Sequence, residues 1–91
     1  MATSKIISNK HGLGTPVNIT SDYVAPSDGI YVLAPNNVNN SFCYGYINGV
    51  HIFSALGFTS GYNLNALPVK KGMTLGVYAS SDAHADFYPF V

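Results

Sequence analysis

Neither arginine nor glutamate occurs anywhere in these 91 residues, and the whole charge complement is Lys5, Lys10, Lys70, Lys71, Asp22, Asp28, Asp82 and Asp86. Charged side chains make up 9% of the chain, where a soluble domain devotes about a quarter of its residues to charge. The formal net charge of zero gives no field to steer the chain toward a phosphate backbone, which speaks against a nucleic-acid partner. With four scattered aspartates and no glutamate, no carboxylate pair of the glycosidase kind stands out. One cysteine, Cys43, allows no internal disulfide and reads as a buried structural thiol. No run approaches the roughly 18 consecutive apolar residues of a membrane span. The start Met-Ala-Thr-Ser-Lys-Ile-Ile lacks the apolar stretch of a signal peptide. Cytosolic synthesis without membrane insertion is the expectation.

What is present is apolar and aromatic: 47% hydrophobic residues, seven Tyr and five Phe. A domain of this size hides only roughly 60 to 65% of its unfolded surface, so part of the exterior is expected to be covered by another chain. Length implies one domain, and the hydrophobicity excludes disorder. Residues 1–14 read as a leader or fibre connection and 15–91 as the folded head. Gly and Pro punctuate the chain every few residues, and no window sustains helical spacing, so strands are expected throughout. They are placed at 15–19, 22–25, 30–34, 41–47, 50–54, 66–69, 73–79 and 84–91. Turns fall at Pro26-Ser27-Asp28-Gly29, where Gly can take positive φ, at Lys70-Lys71-Gly72 and at Ser80-Ser81-Asp82. Residues 55–65 read as a Gly/Ser/Asn-rich segment. The fold class this predicts is all-β, a compact antiparallel sandwich.

Asn48-Gly49 is the preferred pair for a two-residue type I′ hairpin, and such a turn fixes the register of its flanks. Ile47 then faces Val50, Tyr46 faces His51, Gly45 faces Ile52, Tyr44 faces Phe53 and Cys43 faces Ser54. One side carries Cys43, Gly45, Ile47, Val50 and Ile52, which suits a core. The other carries Phe42, Tyr44, Tyr46, His51 and Phe53, which suits a subunit interface. Neither side is made for water, whereas a half-buried hairpin should show one polar face. Ile30, Val32 and Ala34, opposed by Tyr31 and Leu33, repeat the pattern. Two-sided strands of this kind point to an oligomer.

The string Tyr23-Val-Ala-Pro-Ser-Asp-Gly29-Ile-Tyr-Val, then Ile47-Asn48-Gly49-Val50, then Pro68-Val69-Lys70-Lys71-Gly72-Met73-Thr74, then Ala85-Asp-Phe-Tyr-Pro89-Phe-Val91, resembles the C-terminal head domains of phage tail fibres and tail needles. The order and spacing of these pieces carry the likeness over residues 15–91. Met73 stands where those domains usually have an acidic residue. The resemblance implies a small jelly roll, similar to tumour-necrosis-factor and complement globular heads, that assembles as a homotrimer on the rest of a tail fibre. It further implies a place in the virion, made in the host cytoplasm, and contact with a bacterial surface glycan or outer-membrane protein. A capsid decoration protein or trimerisation knob, and a free carbohydrate-binding lectin module, are the alternatives.

Chemistry is sparse. In Gly57-Phe58-Thr59-Ser60-Gly61 the serine falls one place late for a nucleophile elbow. Cys43 and His51 project to opposite faces of the hairpin, so no thiol-imidazole pair forms. His84 and Asp86 share one side of the last strand, but a polar rim explains them better than a metal. No enzyme, cofactor or metal is expected. Binding is left to loops rich in Asn, Ser, Gly and Tyr, which offer adaptable hydrogen bonds and rigid rings: Asn36, Asn37, Asn39 and Asn40 in one, Tyr62, Asn63 and Asn65 in the other. In a trimer three weak sites would act together.

Overall fold

Residues 12–62 and 64–91 are described by the computed structural model. Nine strands follow one another: β1 (Val17–Asn18), β2 (Tyr23–Val24), β3 (Gly29–Ala34), β4 (Phe42–Ile47), β5 (Val50–Phe58), β6 (Gly61–Tyr62), β7 (Asn65–Val69), β8 (Thr74–Ala79) and β9 (His84–Pro89). There is no helix among the described residues. The strands form a four-stranded sheet, β1-β9-β3-β7, and a five-stranded sheet, β2-β8-β4-β5-β6. The antiparallel pairs nest: β4 with β5, β3 with β7, β2 with β8 and β1 with β9. A folded ribbon of paired strands wound across two sheets leaves this order, so the all-β sandwich is a jelly roll.

The core lies between the sheets. Tyr31, Leu33, Cys43, Leu75, Ala85 and Phe87 are fully buried, with Ile19, Ala25, Ala55 and Val69 around them. Burying a side chain such as Phe87 is worth roughly 1.5 to 3 kcal/mol. Tyr31 spans the sandwich: it leaves β3, meets the Phe53 ring edge-on at 5.5 Å, and donates its hydroxyl proton to the Gly76 carbonyl of β8. That bond ties the sheets together and satisfies the one polar atom of a buried phenol.

The hairpin turn forms as its sequence requires, with Asn48 at φ 52° and Gly49 at φ 82°. Its register holds for Ile47–Val50 and Tyr46–His51, then shifts: Gly45 pairs with Phe53, Tyr44 with Ser54, Cys43 with Ala55 and Phe42 with Leu56. Ile52 is the extra residue of a β-bulge. The expected pairing of Gly45 with Ile52 is thereby corrected, and Phe53 turns inward instead of joining the outer aromatic face. The reason is steric complementarity. The Phe53 ring lies where a Cβ on residue 45 would be, 2.3 Å from its nearest atom, so glycine and phenylalanine fill one volume.

Two further expectations are revised. β5 runs on to Phe58, through residues read as a loop, because Gly57 is a crowded strand glycine whose Cβ would meet the Asn36 carbonyl at 2.0 Å. Gly29 does not use positive φ; it opens β3 where a Cβ would strike the Tyr88 carbonyl at 2.4 Å. Gly12–Gly14, within the expected leader, run beside the last residues: Gly14 N donates to the Pro89 carbonyl and Val91 N to that of Gly12.

Candidate binding surface

Side chains alternate along a strand, so β4 sends Cys43 and Gly45 into the core and Phe42, Tyr44 and Tyr46 outward. β8 runs beside it with Tyr78 opposite Tyr44, and Tyr78 is 61% exposed. On the other flank, His51 stands opposite Tyr46 and, beyond the bulge, Leu56 opposite Phe42. The result is a row of rings: Tyr78 to Phe42 at 5.3 Å, Phe42 to Tyr44 at 5.0 Å, Tyr44 to His51 at 5.1 Å and His51 to Tyr46 at 5.4 Å. The rings are tilted to one another by 32° to 49°.

At the Phe42 end the row runs into a cleft of about 620 Å³, lined by Asn39, Asn40, Ser41, Phe42, Tyr44, Leu56, Gly57 and Phe58. That is the volume range of small-ligand sites. Among the described residues no charged side chain lines it. At the opposite end of the row Asp22 lies beside Gly76 and Tyr46. Lys70 and Lys71 lie in the turn before β8, whose first residues pair with the far end of β4 from Phe42.

The cleft wall is braced from below. Ser41 is buried, accepts the Asn36 backbone N–H at 2.8 Å and donates to Asp82 Oδ1 at 2.9 Å. Ser80 Oγ donates to the same oxygen at 2.7 Å and accepts the Phe42 N–H at 3.0 Å. The Ser80 and Ser41 hydroxyls hold the Asp82 carboxyl below its ordinary value. This clasp anchors the Asn36–Asn40 loop to the β8–β9 turn. Asn40 takes φ 70°, as a left-handed turn residue. Asn39 Oδ1 accepts the Thr59 N–H at 3.3 Å, joining that loop to the β5–β6 turn.

Of the expected binding residues, Asn39 and Asn40 line the cleft, while Asn36 and Asn37 sit exposed in the loop behind it, Asn36 Oδ1 accepting the Asn37 N–H. Asn65 opens β7 and is used structurally: its amide donates to the Ser54 carbonyl and its oxygen accepts the Ala66 N–H. Tyr62 lies in β6, and Asn63 falls outside the described residues. Phe42, Tyr44, Tyr46 and His51 share the outer face as expected; Phe53 does not. Tyr78, Leu56 and Phe58 were not anticipated. Alternation along 73–79 marks Tyr78 as facing the same way as Thr74 and Gly76, a usable signal; Phe58 was hidden by the loop-like composition around it.

The remaining candidates resolve structurally. Cys43 is buried, its thiol pushed up to about 11 mainly by burial, and His51 stacks on tyrosines across the sheet. Burial likewise raises the Tyr31 phenol. His84 Nδ1 and Asp86 Oδ2 are 2.7 Å apart, and Asn18 Nδ2 donates to Asp86 Oδ1 at 3.2 Å, a surface polar cluster on the four-stranded sheet. No group of three or more metal-binding side chains occurs among the described residues. No helix is long and apolar enough to cross a membrane. Comparison with protein-family models, curated proteins and solved structures finds no match to this chain.

Proposed function

We propose that the chain is the homotrimeric head of a phage tail fibre and binds a receptor on the bacterial surface. The observation that carries this reading is the exposed aromatic row ending in an asparagine-lined cleft. A purely structural knob has no use for such a cleft, and the same residue types make antibody paratopes. The jelly-roll sandwich agrees with the resemblance in the sequence, and the near-absence of surface charge fits a part whose exterior is shared among copies.

The two outer faces divide the work. On the four-stranded sheet, Ile30 pairs with Pro68 and Tyr88, and Val32 with Ala66 and Asp86, which gives a patch of aliphatic side chains and the Tyr88 ring beside the Asn18–His84–Asp86 cluster. Apolar side chains with a polar rim are suited to contact between copies. This patch, rather than the aromatic face first expected, is the better subunit seam, because the aromatic face is indented and its rim carries hydrogen-bonding amides.

Sedimentation and adsorption test the reading. A mass near three times 9.7 kDa is expected, reduced to the single-chain value by Val32→Lys, and added protein should block phage attachment to susceptible cells. A concentration-independent monomer that still binds cells would leave a free lectin module. A trimer that competes with nothing would leave the structural knob.

A further inference from the structure

We infer that the receptor is an uncharged oligosaccharide, lying along Tyr78, Phe42, Tyr44, His51 and Tyr46 with one end in the Asn39–Phe58 cleft. The inference rests on the proposed receptor-binding role of this face and names the ligand class.

Three features converge. The rings form a continuous patch, Tyr78, Phe42 and Tyr44 at the corners of a triangle with sides of 5.0 to 6.0 Å and His51 and Tyr46 extending it in steps of 5.1 and 5.4 Å, a spacing close to the repeat of linked pyranose rings, whose axial C–H faces stack on aromatic surfaces. They lie side by side on one sheet rather than boxed around a point, so they suit a long ligand rather than a compact cation. The electrostatics disfavour an anion: no charged side chain among the described residues lines the cleft, and the ligand path is flanked by Asp82, hydrogen-bonded to the cleft residue Ser41, at one end and by Asp22 beside Tyr46 at the other. Single-stranded nucleic acid also stacks on aromatic rows but needs cations along its backbone, and phosphorylated or uronic acid-rich glycans fail for the same reason.

The polar groups are placed for hydroxyls. Asn39 has its oxygen engaged by Thr59 N, which fixes the amide and leaves its NH₂ as the donor for a sugar oxygen. Among the described residues, the hydroxyls of Tyr44, Tyr46 and Tyr78 make no hydrogen bond within the chain, in contrast to buried Tyr31. A patch of tilted rings edged by such groups matches a ligand with apolar faces and a hydroxylated rim.

The test uses the fluorescently labelled full chain on a panel of bacterial cells and on a printed array of neutral and acidic glycans. Expected are signals on neutral glycans alone, loss of cell binding after periodate but not protease treatment, and at least a tenfold loss of array binding in Tyr44→Ala. Tyr78→Ala, at an exposed position, should weaken binding severalfold with an unchanged melting curve, which guards against a folding artefact in Tyr44→Ala. Cell binding abolished by protease alone would overturn the glycan and leave a protein receptor, with receptor binding intact. Array binding confined to acidic glycans would overturn the inference. Absence of binding to cells and array alike would overturn both this inference and the receptor role.

Discussion

The two faces of the five-stranded sheet are built from the same aromatic residue types and do opposite things. On the inner face, Phe53 fills the space above Gly45, and Tyr31 reaches across to it with its ring edge-on and its hydroxyl bonded to Gly76. On the outer face Phe42, Tyr44, Tyr46 and Tyr78 lie in a tilted row. Tyr78 is 61% exposed, whereas Tyr31 is completely buried. An aromatic ring therefore stabilises this fold where its faces and its hydroxyl are both satisfied, and is available for recognition where they are not. Composition cannot separate the two roles; only the direction of each side chain does.

The contrast is most sharply tested by truncation. Phe53→Ala should destabilise by about 3 kcal/mol or more, since it empties a core volume that Gly45 cannot refill. Tyr44→Ala, one strand away on the outer face, should cost less than about 1 kcal/mol. Chemical denaturation of both variants checks the pair, and equal losses would mean that the outer row is also core. Removing hydroxyls comes next: Tyr31→Phe should cost about 1 to 2 kcal/mol because the Gly76 carbonyl loses a buried donor, while Tyr46→Phe should stay within about 0.5 kcal/mol.

Cys43 offers a chemical version of the same comparison. With burial pushing its thiol up to about 11, it should resist alkylation at pH 8 in the native protein and react at the rate of unfolding. Prompt labelling would place it outside the core. The smallest expected effect concerns the clasp beneath the cleft. The folded Asp82 carboxyl titrates below the ordinary 3.8, so its contribution is fully present above about pH 4 and is lost as pH falls through the depressed value. The melting temperatures of wild type and Asp82→Asn should therefore converge on acidification below that point; a constant gap down to pH 2 would count against the clasp.

Much of this architecture was legible because local chemistry dictates it. Asn48-Gly49 admits one hairpin turn, and Lys70-Lys71-Gly72 supplies a glycine at φ 93°. The buried thiol and the separation of Cys43 from His51 followed from alternation alone. What was not legible depends on contacts between distant residues. Nothing local to His51-Ile52-Phe53 announces a bulge; it exists because the partner at position 45 lacks a side chain. Gly57 and Gly29 were taken for flexible punctuation, and they are instead places where another segment's backbone comes too close for a Cβ. The candidate surface was half visible for the same reason: Tyr44 and Tyr46 follow from the hairpin, but joining them to Tyr78 and Phe58 requires the register of β8 and the full length of β5.

The bulge at Ile52 acts as a reading-frame shift in the strand. Before it, odd and even positions of β5 face one way; after it they exchange, so one strand delivers Phe53 to the interior and Leu56 and Phe58 to the cleft. Deleting Ile52 would remove the bulge and leave Phe53 opposite Gly45, whereas regular pairing that kept Ile52 would invert everything downstream, bringing Ser54 and Leu56 inward and expelling Phe53. Sequence change along the outer row can thus proceed by substitution, ring by ring, whereas an insertion or deletion in β5 beyond the bulge would exchange the inward and outward sides of the strand downstream of it.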